Sequence, residues 1–124
     1  MTYEIDKLSE LALLLNFVLA KAFFETGLES KLSTVLSVLS ESLFIREKKA
    51  DTVLQEIDNA FKEIHSYQFI MYKYEVTVSS KPEKTVVVIS ILNHDTIEIK
   101  SIKEMLNENS RLLYDLGYEA VLPF

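Results

Sequence analysis

The chain contains no cysteine, no tryptophan, two glycines and two prolines. Without cysteine there can be no disulfide framework, thiolate metal site, iron–sulfur cluster or cysteine nucleophile. Glycine and proline occur only as Gly27, Pro82, Gly117 and Pro123, so residues 28–81 carry neither. A loop that cradles phosphate needs several glycines close together so that backbone N–H groups can converge on an anion. This chain cannot build one. The same scarcity of turn residues implies mostly regular structure with few long loops. A basic stripe is missing as well. The net charge is −6, and direct nucleic-acid binding requires clustered Lys and Arg. The apolar run over 11–24 is interrupted by Asn16 and Lys21 and falls short of the roughly 20 apolar residues that cross a bilayer. No basic stretch precedes it, as a secretory leader would require. A cytoplasmic chain with no membrane association is expected.

What is present is enough apolar material for one domain. The chain has 124 residues, 48 % of them hydrophobic, which suffices for a core without covalent or metal staples. Residues 4–26 read as a first helix, with Leu8, Leu11, Ala12, Leu15, Val18, Leu19, Ala22 and Phe23 at helical spacing. Leu13, Leu14, Phe17 and Phe24 lie off that face. A helix apolar nearly all round is either the centre of a fold or half of a subunit interface. Leu13, Asn16, Phe17 and Phe24 are therefore the candidate self-association surface. Mid-helix Asn16 has the character of a polar residue that fixes register. Gly27 is placed to end the helix. Over residues 29–65, Leu32, Leu36, Leu39, Leu43, Ala50, Leu54, Ile57, Phe61 and Ile64 keep a helical step. This predicts two helices meeting near Arg46-Glu47-Lys48-Lys49, or one helix bent there.

The period then changes to two. Ile70, Tyr72, Tyr74, Val76 and Val78 alternate with polar residues and predict a strand with one buried face. Residues 79–84 form a polar turn. Residues 85–92 are apolar on both faces (Val86 to Ile89, then Ile91), which predicts a central strand covered on each side. After a turn at Asn93-His94-Asp95, residues 96–100 alternate again and complete a three-stranded antiparallel meander. Ser101 and Glu104 have capping-box spacing at the start of a last helix, which Gly117 ends. Residues 118–124 make a short C-terminal edge strand or tail. The expectation is a single α+β domain over 1–124: a helical hairpin or three helices in 4–65, then the meander and a helix in 67–124. Helix, three strands and helix over 47–116 resemble the order of a double-stranded-RNA-binding domain. Glu104 and Glu108 beside Lys103 and Arg111 argue against that activity, which needs a basic surface there.

Candidate chemistry is sparse. His65 and His94 are the two groups able to titrate near neutral pH without a large shift, and no motif pairs either with a metal ligand or a nucleophile. Ser30, Ser33, Ser37 and Ser40 form a small-residue stripe, and none sits in a G-x-S-x-G turn. No catalytic, cofactor-binding or metal-binding residue is assigned. A weaker ligand site is expected from Tyr72, Tyr74, His94 and Asp95, lining a pocket between sheet and helices.

Size and acidity are similar to those of small secretion chaperones, immunity proteins and phage-encoded inhibitors. The leading functional expectation is a non-enzymatic, acidic protein-binding regulator or inhibitor that dimerises through the first helix. The alternatives are a small-molecule or nucleotide-binding domain using the tyrosine and histidine pocket, and an acidic mimic that inhibits a nucleic-acid-handling protein.

Overall fold

The computed structural model describes residues 4–46 and 49–118. A 3-10 turn over Ile5–Lys7 leads into helix α1, Glu10–Thr26. Ser9 starts the helix: its Oγ accepts the Ala12 N–H at 3.3 Å. Its own N–H and hydroxyl donate to the two carboxylate oxygens of Glu63, each at 2.9 Å. Gly27 ends the helix at φ +110°, with its N–H on the Phe23 carbonyl at 2.8 Å. Few residues other than glycine adopt that backbone. Inside α1 every turn is covered. Leu13, Leu14, Leu15, Asn16, Phe17, Leu19 and Phe23 are all buried within the single chain. Each large side chain hidden this way contributes about 1.5–3 kcal/mol. Of the two roles open to so apolar a helix, the structure assigns α1 to the centre of the fold.

The segment that follows departs from the sequence expectation. Leu32–Val35 is strand β1, not helix; helix α2 spans Leu36–Ser42 and helix α3 spans Ala50–Tyr67. Leu32, Leu36, Leu39 and Leu43 keep a helical step by coincidence. Ser33, Thr34 and Val35 between them are poor helix formers, and two are β-branched. Pairing with a later strand settles their state. The break between the two later helices falls near Arg46, as expected, and its cause is visible. Phe44 N–H donates to Glu41 O at 3.1 Å and Ile45 N–H to Ser40 O at 2.9 Å. This is a Schellman cap, with Phe44 at φ +59° in the position glycine usually holds. Gly117 closes the last helix with the same pair of bonds, Gly117 N–H to Tyr114 O and Tyr118 N–H to Leu113 O. A left-handed phenylalanine costs on the order of 1–2 kcal/mol that a glycine would not. The Phe44 ring lies 5.3 Å from that of Tyr118, and this contact offsets part of the cost.

Strand β2 is Tyr72–Thr77 and strand β3 is Val86–Ile91. Thr85, fully buried, holds the turn between them: its Oγ1 accepts the Ser79 N–H at 3.1 Å and lies 3.0 Å from the Lys81 carbonyl oxygen. The sheet is antiparallel with order β1-β3-β2. Val86 to Ile89 pair with β1 on one side, and all of β3 pairs with β2 on the other. The α+β class, the three-stranded antiparallel sheet and the central place of β3 stand. The third strand is β1, however, so the sheet is not a sequential meander. Both sides of β3 are already occupied, which leaves no place there for 96–100. That stretch forms a 3-10 turn over His94–Thr96 and then enters helix α4, Ile99–Asp115. The capping box is not made, because α4 starts after Glu98 and places Ser101 inside its first turn. With the third strand elsewhere, the likeness in element order to a double-stranded-RNA-binding domain lapses. The C-terminal edge strand or tail lies, beyond Tyr118, outside the described residues.

The helices cover one face of the sheet. Val87, Ile89 and Ile91 point into the core together with Tyr72. The register puts Ser33, Val35, Lys73, Glu75, Thr77, Val86, Val88 and Ser90 on the opposite face. Ser33, Lys73, Glu75 and Thr77 there are exposed, and the valines only half-buried. β3 is thus central but not covered on both faces. Among the described residues, no helix is long and apolar enough to cross a membrane.

One polar contact joins α1 to α4 inside the core. Asn16 and Asn109 are both fully buried. Asn16 Nδ2 donates to Asn109 Oδ1 at 2.5 Å, and Asn109 Nδ2 donates to the Leu13 carbonyl at 3.1 Å. Asn16 Oδ1 has no partner among the described residues. Asn109→Leu strands the Asn16 amide and is expected to cost about 2–3 kcal/mol. Adding Asn16→Leu should recover at least about half of that loss, since removing both partners leaves no orphaned group. Urea denaturation of the single and double variants measures the recovery.

Candidate functional site

The residues expected to form a ligand pocket are not brought together. Tyr72 is buried under the sheet, its ring centroid 6.1 Å from Phe23 and 5.9 Å from Phe61, and its hydroxyl has no partner. Burial drives that hydroxyl far above the ordinary tyrosine range. Tyr74 stacks on Phe61 at 4.3 Å and its hydroxyl donates to the Asp58 carboxylate. His94 and Asp95 stand in the 3-10 turn after β3, half-buried and exposed respectively. No hydrogen bond or ring contact joins them to the tyrosines among the described residues. The residue that acts in this turn is Asn93. Its Oδ1 accepts the Met71 N–H at 2.9 Å and its Nδ2 donates to the Phe69 carbonyl at 2.8 Å, which fixes the entry into β2.

The expected self-association surface is likewise turned inward. Leu13, Asn16 and Phe17 are buried in their own chain. Phe24 is partly open, in a groove of about 340 Å³ between α1 and α4 that Phe17, Lys21, Lys103 and Leu106 also line. The serine stripe does not survive folding, since Ser33 belongs to β1 while Ser37 and Ser40 belong to α2. The hydroxyls of Ser30, Ser40 and Ser42 donate to nearby backbone carbonyls. Among the described residues, no three His, Asp or Glu side chains are grouped to hold a metal.

Of the two edge strands, β1 and β2, β2 has a groove beside its open edge. Leu92 N–H donates to Met71 O at 2.8 Å, so the Met71 backbone faces β3. Antiparallel ladders alternate residue by residue. Lys73, Glu75 and Thr77 therefore bond to β3, while Tyr72, Tyr74 and Val76 turn their N–H and C=O outward. The outward Tyr72 N–H is taken by His65 Nε2 at 3.1 Å. Those of Tyr74 and Val76 have no partner among the described residues. Beside them runs a groove of about 330 Å³ whose walls are Tyr74 and Val76 on β2 and Asp51, Leu54, Gln55 and Asp58 on α3. The four α3 residues lie at helical spacing i, i+3, i+4 and i+7, one stripe along one side of the helix. Val78, 70 % exposed, prolongs the apolar lining past the strand end beside Asp51.

Sequence periodicity placed Tyr74 and Val76 on the inner face of a strand. The expected meander, with residues 85–92 central, already put this strand at an edge, but neither Asp58 nor Leu54 stood out from an ordinary amphipathic helix. No protein-family model matches this chain, and no curated protein or solved structure is significantly similar to it.

Two outcomes follow from this geometry. In the free protein, the amides of Tyr74 and Val76 are expected to exchange with solvent at least about a hundredfold faster than those of Lys73, Glu75 and Thr77, as residue-resolved hydrogen exchange would record. His65, as acceptor for the Tyr72 N–H, must be neutral at Nε2, and burial lowers its pKa. The unfolded chain therefore takes up the proton first as the pH falls. The stability from this group is complete above about pH 6.5 and is lost as the pH drops through the lowered folded value. Chemical denaturation between neutral pH and pH 5 should show that decline, flattened in His65→Gln.

Proposed function

We propose that this protein is a non-enzymatic, protein-binding regulator that captures its partner by adding a strand to the open edge of β2. The observation that carries this reading is the pair of outward backbone positions, Tyr74 and Val76, facing a groove against α3. Unpaired strand edges are templates for another chain. An extended segment that adds to one gains main-chain hydrogen bonds for affinity and side-chain pockets for specificity. Natural domains commonly blunt such an edge with proline, a bulge or a covering loop. Over Tyr72–Thr77, β2 has no proline, and α3 stands beside it with the groove between. The inward use of Tyr72 and Tyr74 and the acidic composition favour binding over chemistry. Dimerisation through α1 is not part of this reading, because the residues it would use already form the core. A cytoplasmic location is proposed with it.

The test is selective removal of the outward donor. The Val76 N–H lies outside the β2–β3 ladder, so Val76→Pro leaves those hydrogen bonds in place. Dodecapeptides selected from a random phage-displayed library on the wild-type protein should bind Val76→Pro at least about tenfold more weakly. They should also protect the Tyr74 and Val76 amides from exchange. A melting curve checks that the variant is folded. Peptides that bind both proteins equally would refute strand addition.

A further inference from the structure

We infer that the segment added to β2 is basic: an extended stretch whose groove-facing side chains, at alternate positions, run Lys or Arg, apolar, Lys or Arg. This rests on the strand-addition reading and adds the chemistry of the partner. In a paired strand, successive side chains point to opposite faces. Those opposite Tyr74 and Val76 share the face of Tyr74 and Val76 and enter the groove along α3. What they meet there is ordered. Asp58 lies beside Tyr74, hydrogen-bonded to its hydroxyl. Leu54 shares the middle of the groove with Val76. Asp51 borders the far end, next to exposed Val78. Charge, apolar surface and charge therefore follow one another along about 10 Å of helix, at about 1.5 Å per residue over seven residues. Alternate strand residues are spaced about 6.8 Å apart, so two or three of them span the same length.

Lysines already stand near both carboxylates, with Lys49 beside Asp51 in the lining next to Val78. Asp58 is paired with Lys62 at 3.1 Å, but the Lys62 side chain is 73 % exposed and its pull on Asp58 is screened by water. Asp51 Oδ1 accepts the neighbouring Thr52 N–H. On the outer face, Lys73 and Glu75 form an exposed pair at 3.2 Å and cancel each other. The same layout argues against a second copy as occupant. Two β2 strands paired about a two-fold axis would bring Asp51 and Asp58 of each chain toward those of the other, in a protein of net charge −6. Like charges brought close cost energy.

The selected dodecapeptides provide the test. Lys or Arg should be enriched at positions four apart, with an apolar residue midway. A synthetic peptide of that kind should bind Asp51→Asn/Asp58→Asn about three- to tenfold more weakly, while its Lys→Gln version binds wild type and variant alike. Asparagine keeps a hydrogen-bond acceptor for Tyr74 and Thr52, so the variant isolates charge; a melting curve shows that it is folded. Affinity for the basic peptide should fall severalfold between about 50 and 300 mM salt. Peptides that are lost in Val76→Pro yet show no basic preference would overturn this inference and leave strand addition standing. Peptides insensitive to Val76→Pro would overturn both. A wild-type dimer in sedimentation that Val76→Pro dissociates would assign the edge to a second copy and overturn the inference alone.

Discussion

Helix α1 must be covered on all sides, and the rest of the fold is arranged to do so. Most of its large side chains, Phe17, Phe23, Leu14 and Leu15 among them, are buried, and they point in every direction around the axis. A helix with an apolar stripe can rest on one layer; a helix apolar all round needs several. Here α3, α4 and the inner face of the sheet supply them, with Phe23 reaching Tyr72 across to β2. Enclosing one helix this way uses up the available helices. Among the described residues, the outer face of the sheet and the outer edge of β2 are among the parts left uncovered.

Polar contacts decide where the covering elements sit, because apolar burial has no preferred direction. Ser9 and Glu63 tie the start of α1 to α3. Asn16, Asn109 and the Leu13 carbonyl set α1 against α4. Asn93 and His65 bracket the entry to β2 from two sides. A fully buried amide pair is worth little net stability, but a shifted helix would strand both amides, so the pair selects one arrangement over its neighbours. The same accounting applies at the sheet edge. Tyr72 has its outward N–H satisfied from within the chain. Tyr74 and Val76, further along, have no such partner among the described residues.

Much of this was legible from residue spacing. The amphipathic periods of α3 and α4, the two-residue alternation of β2, the all-apolar run of β3 and the glycine stops at 27 and 117 each arise from local geometry that side-chain order records. The errors share one cause. Leu32–Val35 and 96–100 are each only a few residues long, too short for period alone to separate helix from strand. What decided them was whether β3 had a side to spare. Phe44 escaped notice because a left-handed phenylalanine violates the preference by which helix ends are usually recognised. Asn109 falls on the apolar face of its helix by spacing, but nothing along the chain names its partner 93 positions earlier.

By itself the amino-acid order determined the chemistry this protein lacks, the α+β class, the three longest helices and the excess of apolar surface on α1. Those properties depend on residue type and near-neighbour spacing, which are written along the chain. Tertiary structure alone decided that α1 is enclosed by its own chain, that β1 completes the sheet, and that the edge of β2 faces Asp51, Leu54 and Asp58 across a groove. An edge is defined by a missing neighbour, and a groove by two surfaces distant in sequence. Neither exists until folding has settled which segments stand side by side.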